Sequence, residues 1–116
     1  MFRVASTEEY DQWFAGQGDE VATEVFAVVG LLQEFGHRLS RPHADTINGS
    51  KFDNMKELRV KTFRAEIRIA FAFDPKRNAI LLIAGDKRGS NEKRFYRQLI
   101  AKADLLYEKH LKVIHG

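Results

Sequence analysis

The sequence predicts an α+β domain of order β-αα-βββ-α, with its helices laid on one face of a small, largely antiparallel sheet. Three observations carry this prediction. Apolar residues recur at helical spacing from Tyr10 to Phe35; from Met55 the period becomes two; near Ser90 the helical period returns and runs to Ile114. A chain of 116 residues holds one core, so residues 1–116 are read as a single domain.

Phe2-Arg3-Val4-Ala5 reads as a short first strand. Ser6-Thr7-Glu8-Glu9 follows as a helix start, with Ser6 as N-cap and Glu9 completing a capping box. This helix turns Tyr10, Trp13 and Phe14 inward and stops near Gly16 or Gly18. A second helix over 18–35 buries Val21, Val25, Phe26, Val28, Val29, Leu32 and Phe35 and ends at Gly36. Residues 36–54 are rich in turn formers and predict an ordered surface loop.

The alternation then starts. In strand 55–61, Leu58 and Val60 share one face, while Glu57, Arg59 and Lys61 share the other. In strand 66–73, Ile67, Ile69, Phe71 and Phe73 point in, and Glu66 and Arg68 point out. After the turn Asp74–Asn78, residues 79–84 are almost wholly apolar, as a central strand requires. The last helix starts at Ser90 or Asn91. It carries the stripe Tyr96, Leu99, Ile100, Ala103, Leu106, Tyr107, Leu111 and Ile114.

Charge is distributed unevenly. Residues 1–36 hold seven acids and one base, a net of −6, whereas residues 37–116 carry a net of +9. That asymmetry points to a basic face for nucleic acid or another polyanion. No stretch has the length of a membrane span and no export signal opens the chain, so a cytoplasmic protein without membrane contact is expected. With no cysteine, and with His37, His43, His110 and His115 lacking ligand spacing, neither a metal nor a cofactor is expected. Phosphate-binding loops of the P-loop or G-x-G-x-x-G type are absent.

If strands 55–61 and 66–73 form a hairpin through Thr62–Ala65, one register sets Lys61 opposite Glu66 and Arg59 opposite Arg68. Two facing guanidiniums repel unless an anion lies between them. Either a bound phosphate fills that gap, or Glu57 and Glu66 neutralise the pair and nothing binds. Lys87 and Arg88 leave the next strand beside the same hairpin, and a helix N-terminus follows them. They are either part of the same anion site or a solvated loop. Tyr96 is either a core residue of the helix stripe or a residue that meets substrate.

The segments Leu39-Ser40-Arg41-Pro42-His43, Asn48-Gly49-Ser50, Lys56-Glu57-Leu58-Arg59-Val60, Glu66-Ile67-Arg68-Ile69-Ala70-Phe71 and Gly85-Asp86-Lys87 resemble the RelE/HigB toxin superfamily. The similarity is greatest to its phage-derived Gp49-like branch and runs from about residue 28 to 111. The resemblance implies a RelE-like fold and the toxin of a type II toxin–antitoxin pair. Such a toxin is an endoribonuclease that cuts mRNA on the ribosome by metal-independent 2′-OH attack. It implies a helix-turn-helix antitoxin as partner, with operator DNA reached only through that antitoxin.

Carried over by motif, Arg68 holds the scissile phosphate, Lys87 or Arg88 assists it or acts on the leaving oxygen, and Tyr96 stacks on or orients a base. Arg59, Lys51, Lys61, Lys93 and His43 make up the phosphate-contacting set, although Lys93, like Arg94, reads first as a helix-start surface charge. One departure stands out: where RelE-like members carry lysines for acid–base work, this chain has Met55 and Glu57. Glu57, His43 or Tyr96 is left as the candidate base. The same departure keeps two alternatives open, a ParE-like inhibitor of DNA gyrase and an RNA-binding domain without catalysis.

Overall fold

The computed structural model describes all 116 residues, Met1–Gly116. The elements are β1 (Val4–Ser6), α1 (Glu8–Ala15), α2 (Asp19–Phe35), β2 (Ala44–Thr46), β3 (Lys56–Lys61), β4 (Glu66–Phe73), β5 (Ala79–Asp86) and α3 (Glu92–His115), with a 3₁₀ turn at Gly36–Arg38. The five strands lie in the order β1-β5-β4-β3-β2; β1 runs parallel to β5 and every other pair is antiparallel. An α+β domain with a mostly antiparallel sheet is therefore what forms. No helix is long and apolar enough to cross a membrane.

The helices do not share one face, as the sequence reading expected. Helices α1 and α2 cover one side of the sheet, where Tyr10, Val25, Val28 and Leu32 pack on Leu58, Val60, Ile67, Ile69, Phe71 and Leu81. Helix α3 covers the other, where Leu99, Ala103, Leu106 and Tyr107 pack on Met55, Ala70, Ala72, Ile80 and Leu82. Two apolar faces explain why β5 is apolar at consecutive positions. Ala70 and Ala72 alternate with Ile69 and Phe71 along β4, and their small side chains let α3 lie close. The charged face expected to meet water is thus largely roofed by α3, and Glu57 and Arg68 keep only 3% and 8% of their surface.

Smaller differences have local causes. The N-cap of α1 is Thr7, not Ser6: the Thr7 hydroxyl accepts from Tyr10 N at 3.0 Å and donates to the Leu82 carbonyl at 2.6 Å. That carbonyl is free because Leu82 is the extra residue where the β4–β5 register slips between Ala70 and Phe71. Ser6 belongs to β1 and donates instead to Asp11. Phe26 is 75% exposed rather than buried, because it faces away from the sheet on α2, and Phe35 is also exposed. Within the expected loop, β2 forms because its backbone can pair with the edge of β3, Ala44 opposite Leu58. Gly36 ends α2 with φ of +57°, and its Cα lies against the Phe2 ring, where no side chain fits.

The far end of α3 is anchored by Asp74, which accepts from the backbone N–H of Lys76 and Asn78 and from His110 Nε2, each at 2.9 Å. Burial alone would raise the Asp74 carboxyl, but the His110 bond and the two backbone bonds outweigh it and hold it below its usual value. A carboxylate with a depressed folded pKa stabilises fully above the unfolded value near pH 4, and that stabilisation fades as pH falls through the folded one. Asp74→Asn is therefore expected to cost ~1–3 kcal/mol in urea unfolding at pH 6. The gap to the unaltered protein should close progressively below about pH 4.

Candidate functional site

Strand register builds the site. Lys61 stands opposite Glu66 and Arg59 opposite Arg68, the pairing expected from the sequence. On the α3 face of this hairpin the side chains of Glu57, Arg59 and Arg68 emerge where α3 begins, beside Tyr96 on its second turn. Asn91 caps that helix by accepting from Arg94 N at 3.0 Å, which fixes where Tyr96 projects.

The anion between the facing arginines is Glu57. Its Oε2 lies 3.1 Å from Arg59 Nε and its Oε1 3.8 Å from Arg68 Nε. The Tyr96 hydroxyl donates to Glu57 Oε1 at 2.7 Å and accepts from Arg68 Nε at 3.1 Å. Burial would weaken the proton affinity of Arg59, yet the bond and charge of Glu57 outweigh it and push the guanidinium above its ordinary value. Burial also raises the Tyr96 phenol, reinforced by Glu57 and only partly opposed by Arg68. Tyr96 therefore holds its proton at neutral pH and serves as a donor.

A second carboxylate gathers the remaining cations. Glu66 lies within 3.9 Å of Arg68 Nη2, 3.8 Å of Lys87 Nζ and 3.7 Å of Arg88 Nη2. The turn after β5 sets this up: Asp86 Oδ1 accepts from Glu66 N and Arg88 N, and Lys87 N donates to the Glu66 carbonyl. Gly89, at φ of +79°, completes the reversal. Lys87 also pairs with Glu92 at 2.7 Å, an exposed carboxyl that this bond holds below its usual range. Arg68 is fixed further by donating to the Ile67 carbonyl.

Two depressions flank Arg59. A cleft of about 440 Å³ is bordered by Arg41, Asp45, Glu57, Arg59, Lys93 and Tyr96. A smaller one of about 260 Å³ runs along Lys61, Arg59, Glu66 and Arg68. Arg59, Arg68, Lys87, Arg88, Tyr96, Lys61 and Lys93 are thus assembled at one end of the molecule. Lys51 is not: it pairs with Glu108 and its backbone N–H donates to Asp104. Asp104 and Glu108 lie about two and three turns beyond Tyr96, at the middle of α3 and just past it. His43 lines neither cleft; its carbonyl accepts from Arg59 N at 2.8 Å, so it supports the strand edge.

The sequence reading missed Arg41 and Asp45 as cleft residues. Arg41 binds Asp45 at 2.7 Å, which lies below the usual carboxylate range because of that bond. An Arg–Asp pair four apart in a turn-rich loop carries no sign of facing a cleft; only the unanticipated β2 places it there.

Comparison with known proteins now adds to the geometry. Residues 12–108 match the family model described as phage derived protein Gp49-like. Two proteins of Mycobacterium tuberculosis named as toxins, HigB2 and HigB3, are 43% and 44% identical over 109 and 108 residues. Each match takes in 93% of this chain, but 54% of HigB2 and 92% of HigB3, so the chain spans about half the length of the first. Among solved structures, free E. coli toxin RelE with two arginines replaced by alanine has a TM-score of 0.59 at 10% identity, over 88% of this chain and 93% of that one. RelE in the archaeal RelE–RelB complex from Pyrococcus horikoshii has 0.55 at 11%, over 77% and 98%. At such identities the structures show the fold.

Two consequences can be measured. Replacing Glu66 by Gln removes the charge shared by Arg68, Lys87 and Arg88, so the variant should elute from a heparin column at higher salt than the unaltered protein. Tyr96→Phe deprives Glu57 of its 2.7 Å donor and should cost ~1–3 kcal/mol in urea unfolding.

Proposed function

We propose that the chain, which belongs to the phage-derived Gp49-like family and is a toxin of the RelE/HigB type, is an endoribonuclease that cuts mRNA on the ribosome, acting in the cytoplasm and held in check by a helix-turn-helix antitoxin. The observation that carries this reading is the convergence of Arg68, Lys87 and Arg88 on the single carboxylate of Glu66. Three cations around one anion suit a phosphodiester, which presents oxygens in several directions and can take the place of the carboxylate.

In the reaction, the 2′-oxygen of one nucleotide attacks the neighbouring phosphorus. The bond from phosphorus to the 5′-oxygen of the next nucleotide breaks, leaving a 2′,3′-cyclic phosphate and a 5′-hydroxyl. Arg68, with Lys87 and Arg88, stabilises the negative charge that grows on the phosphoryl oxygens, the kind of contribution that usually dominates. Glu57 is the carboxylate that borders the larger cleft next to Arg68, and it takes the 2′-OH proton. Tyr96, held in its protonated form, orients Glu57 and Arg68 rather than acting as base. Lys87 or Arg88 supplies a proton or charge to the leaving 5′-oxygen.

Arg68→Ala, and separately Lys87→Ala with Arg88→Ala, test the proposal. Each should reduce mRNA cutting on translating ribosomes by about a hundredfold or more, read by primer extension, and should relieve growth arrest. Circular dichroism should show the fold retained. Growth arrest and cleavage that persist unchanged in both would sink the nuclease reading, and a DNA-damage response with intact mRNA would favour a gyrase target.

A further inference from the structure

The tip of the β3–β4 hairpin carries Phe63 at 84% exposure. A lone exposed aromatic is ordinary on a protein surface; this one is held out on a turn fixed from three sides. Thr62 Oγ1 accepts from Arg64 N and Ala65 N at 3.3 and 3.0 Å, and Thr62 N donates to the Ala65 carbonyl. Phe63 N donates to Glu20 Oε1 on α2 at 3.2 Å. The Phe63 carbonyl accepts from Arg88 Nη1 at 2.6 Å. Both backbone polar groups of Phe63 are therefore tied to other elements, one of them to a cation of the phosphate seat.

The surroundings are those of a single-stranded nucleic acid site. Lys61 and Arg64 flank the ring in sequence and are exposed, while Arg88 binds its carbonyl and shares Glu66 with Lys87. Binding of unpaired strands combines a basic track for the backbone with aromatic faces on which bases stack. We propose that Phe63 is a stacking platform for an unpaired nucleobase of the RNA, next to the phosphate held by Arg68, Lys87 and Arg88. Glu20 places a negative charge behind the tip, which turns the RNA backbone toward the Arg88 side. A phenyl ring reads no hydrogen-bond edge, so it contributes affinity and register without base preference. This inference rests on the RNA-cutting reading above and adds a subsite to it.

The test is fluorescence anisotropy of the whole chain with a labelled, uncleavable 2′-O-methyl single-stranded RNA at low salt. A parallel set carries one abasic nucleotide at successive positions. Phe63→Ala should weaken binding about five- to hundredfold, Phe63→Leu should weaken it nearly as much, and Phe63→Trp should bind as well as the unaltered chain. One abasic position should lower the affinity of the unaltered chain to that of Phe63→Ala, and should leave Phe63→Ala unchanged. A Phe63→Leu variant that binds normally, or Phe63→Ala that binds normally while Arg68→Ala does not, overturns the platform and leaves the nuclease reading standing. RNA that fails to bind the unaltered chain overturns the platform, whereas the nuclease reading falls only if cleavage on translating ribosomes survives the Arg68 and Lys87/Arg88 replacements.

Discussion

Everything at the site depends on one constraint, the placement of Arg59 directly opposite Arg68 across the β3–β4 hairpin. Like charges at facing positions destabilise a sheet, and α3 roofs Arg68 so that solvent reaches mainly Arg59 of the pair. The conflict is resolved within the chain by the carboxylate of Glu57, which touches both arginines and is oriented by the Tyr96 hydroxyl. Buried charges persist where partners satisfy them, and no buried side-chain polar atom lacks a hydrogen-bond partner. The price of this arrangement is that sheet register, helix position and side-chain charge must agree at once.

Architecture then separates the roles of the two acids. Glu57 belongs to the buried set and has a fixed geometry. Glu66 is more open and holds Arg68, Lys87 and Arg88 at 3.7–3.9 Å, longer than a strong charge-assisted hydrogen bond. Contacts of that length gather the three cations around Glu66 without a short hydrogen bond to it, and on the proposed reading a phosphate takes that carboxylate's place. The turn after β5, organised by Asp86 and Gly89, keeps Lys87 and Arg88 on the hairpin side instead of leaving them as free loop charges. At the far end of α3, Asp74 and His110 hold the helix against the β4–β5 turn, and its N-terminal turns are thereby kept over the site.

How much of this was legible varied with the physical signal. Alternation along 55–73 set the faces of both strands, and pairing through the turn 62–65 offered a register, the one that forms, in which Arg59 meets Arg68. The strand–turn–helix order around residues 79–96 brought Lys87 and Arg88 beside the hairpin but left open whether they form a site or a solvated loop, and whether Tyr96 is core. Which face each helix covers was not legible, because Ala70 and Ala72 read as weak apolar positions until α3 is seen lying on them. For the same reason Glu57 looked like an outward charge, although it is one of the most buried acids. Lys51 was misplaced because a lysine in a turn-rich loop gives no hint of its partner on α3. The short pairing of Ala44–Thr46 depends wholly on an edge offered by β3, and Arg41 and Asp45 were lost with it. No sequence signal marks Phe63 as exposed, since its exposure follows from the tightness of a four-residue turn.

The central claim is that the cations around Glu66 form a phosphate seat. It is tested most directly by following the arginine side-chain Nε–H resonances in nitrogen–proton correlation spectra while an uncleavable single-stranded RNA is added. The Arg68 and Arg88 signals should move together and saturate with the RNA, while those of Arg3 and Arg77, on other parts of the surface, stay in place. RNA that binds without moving the Arg68 signal would contradict the account.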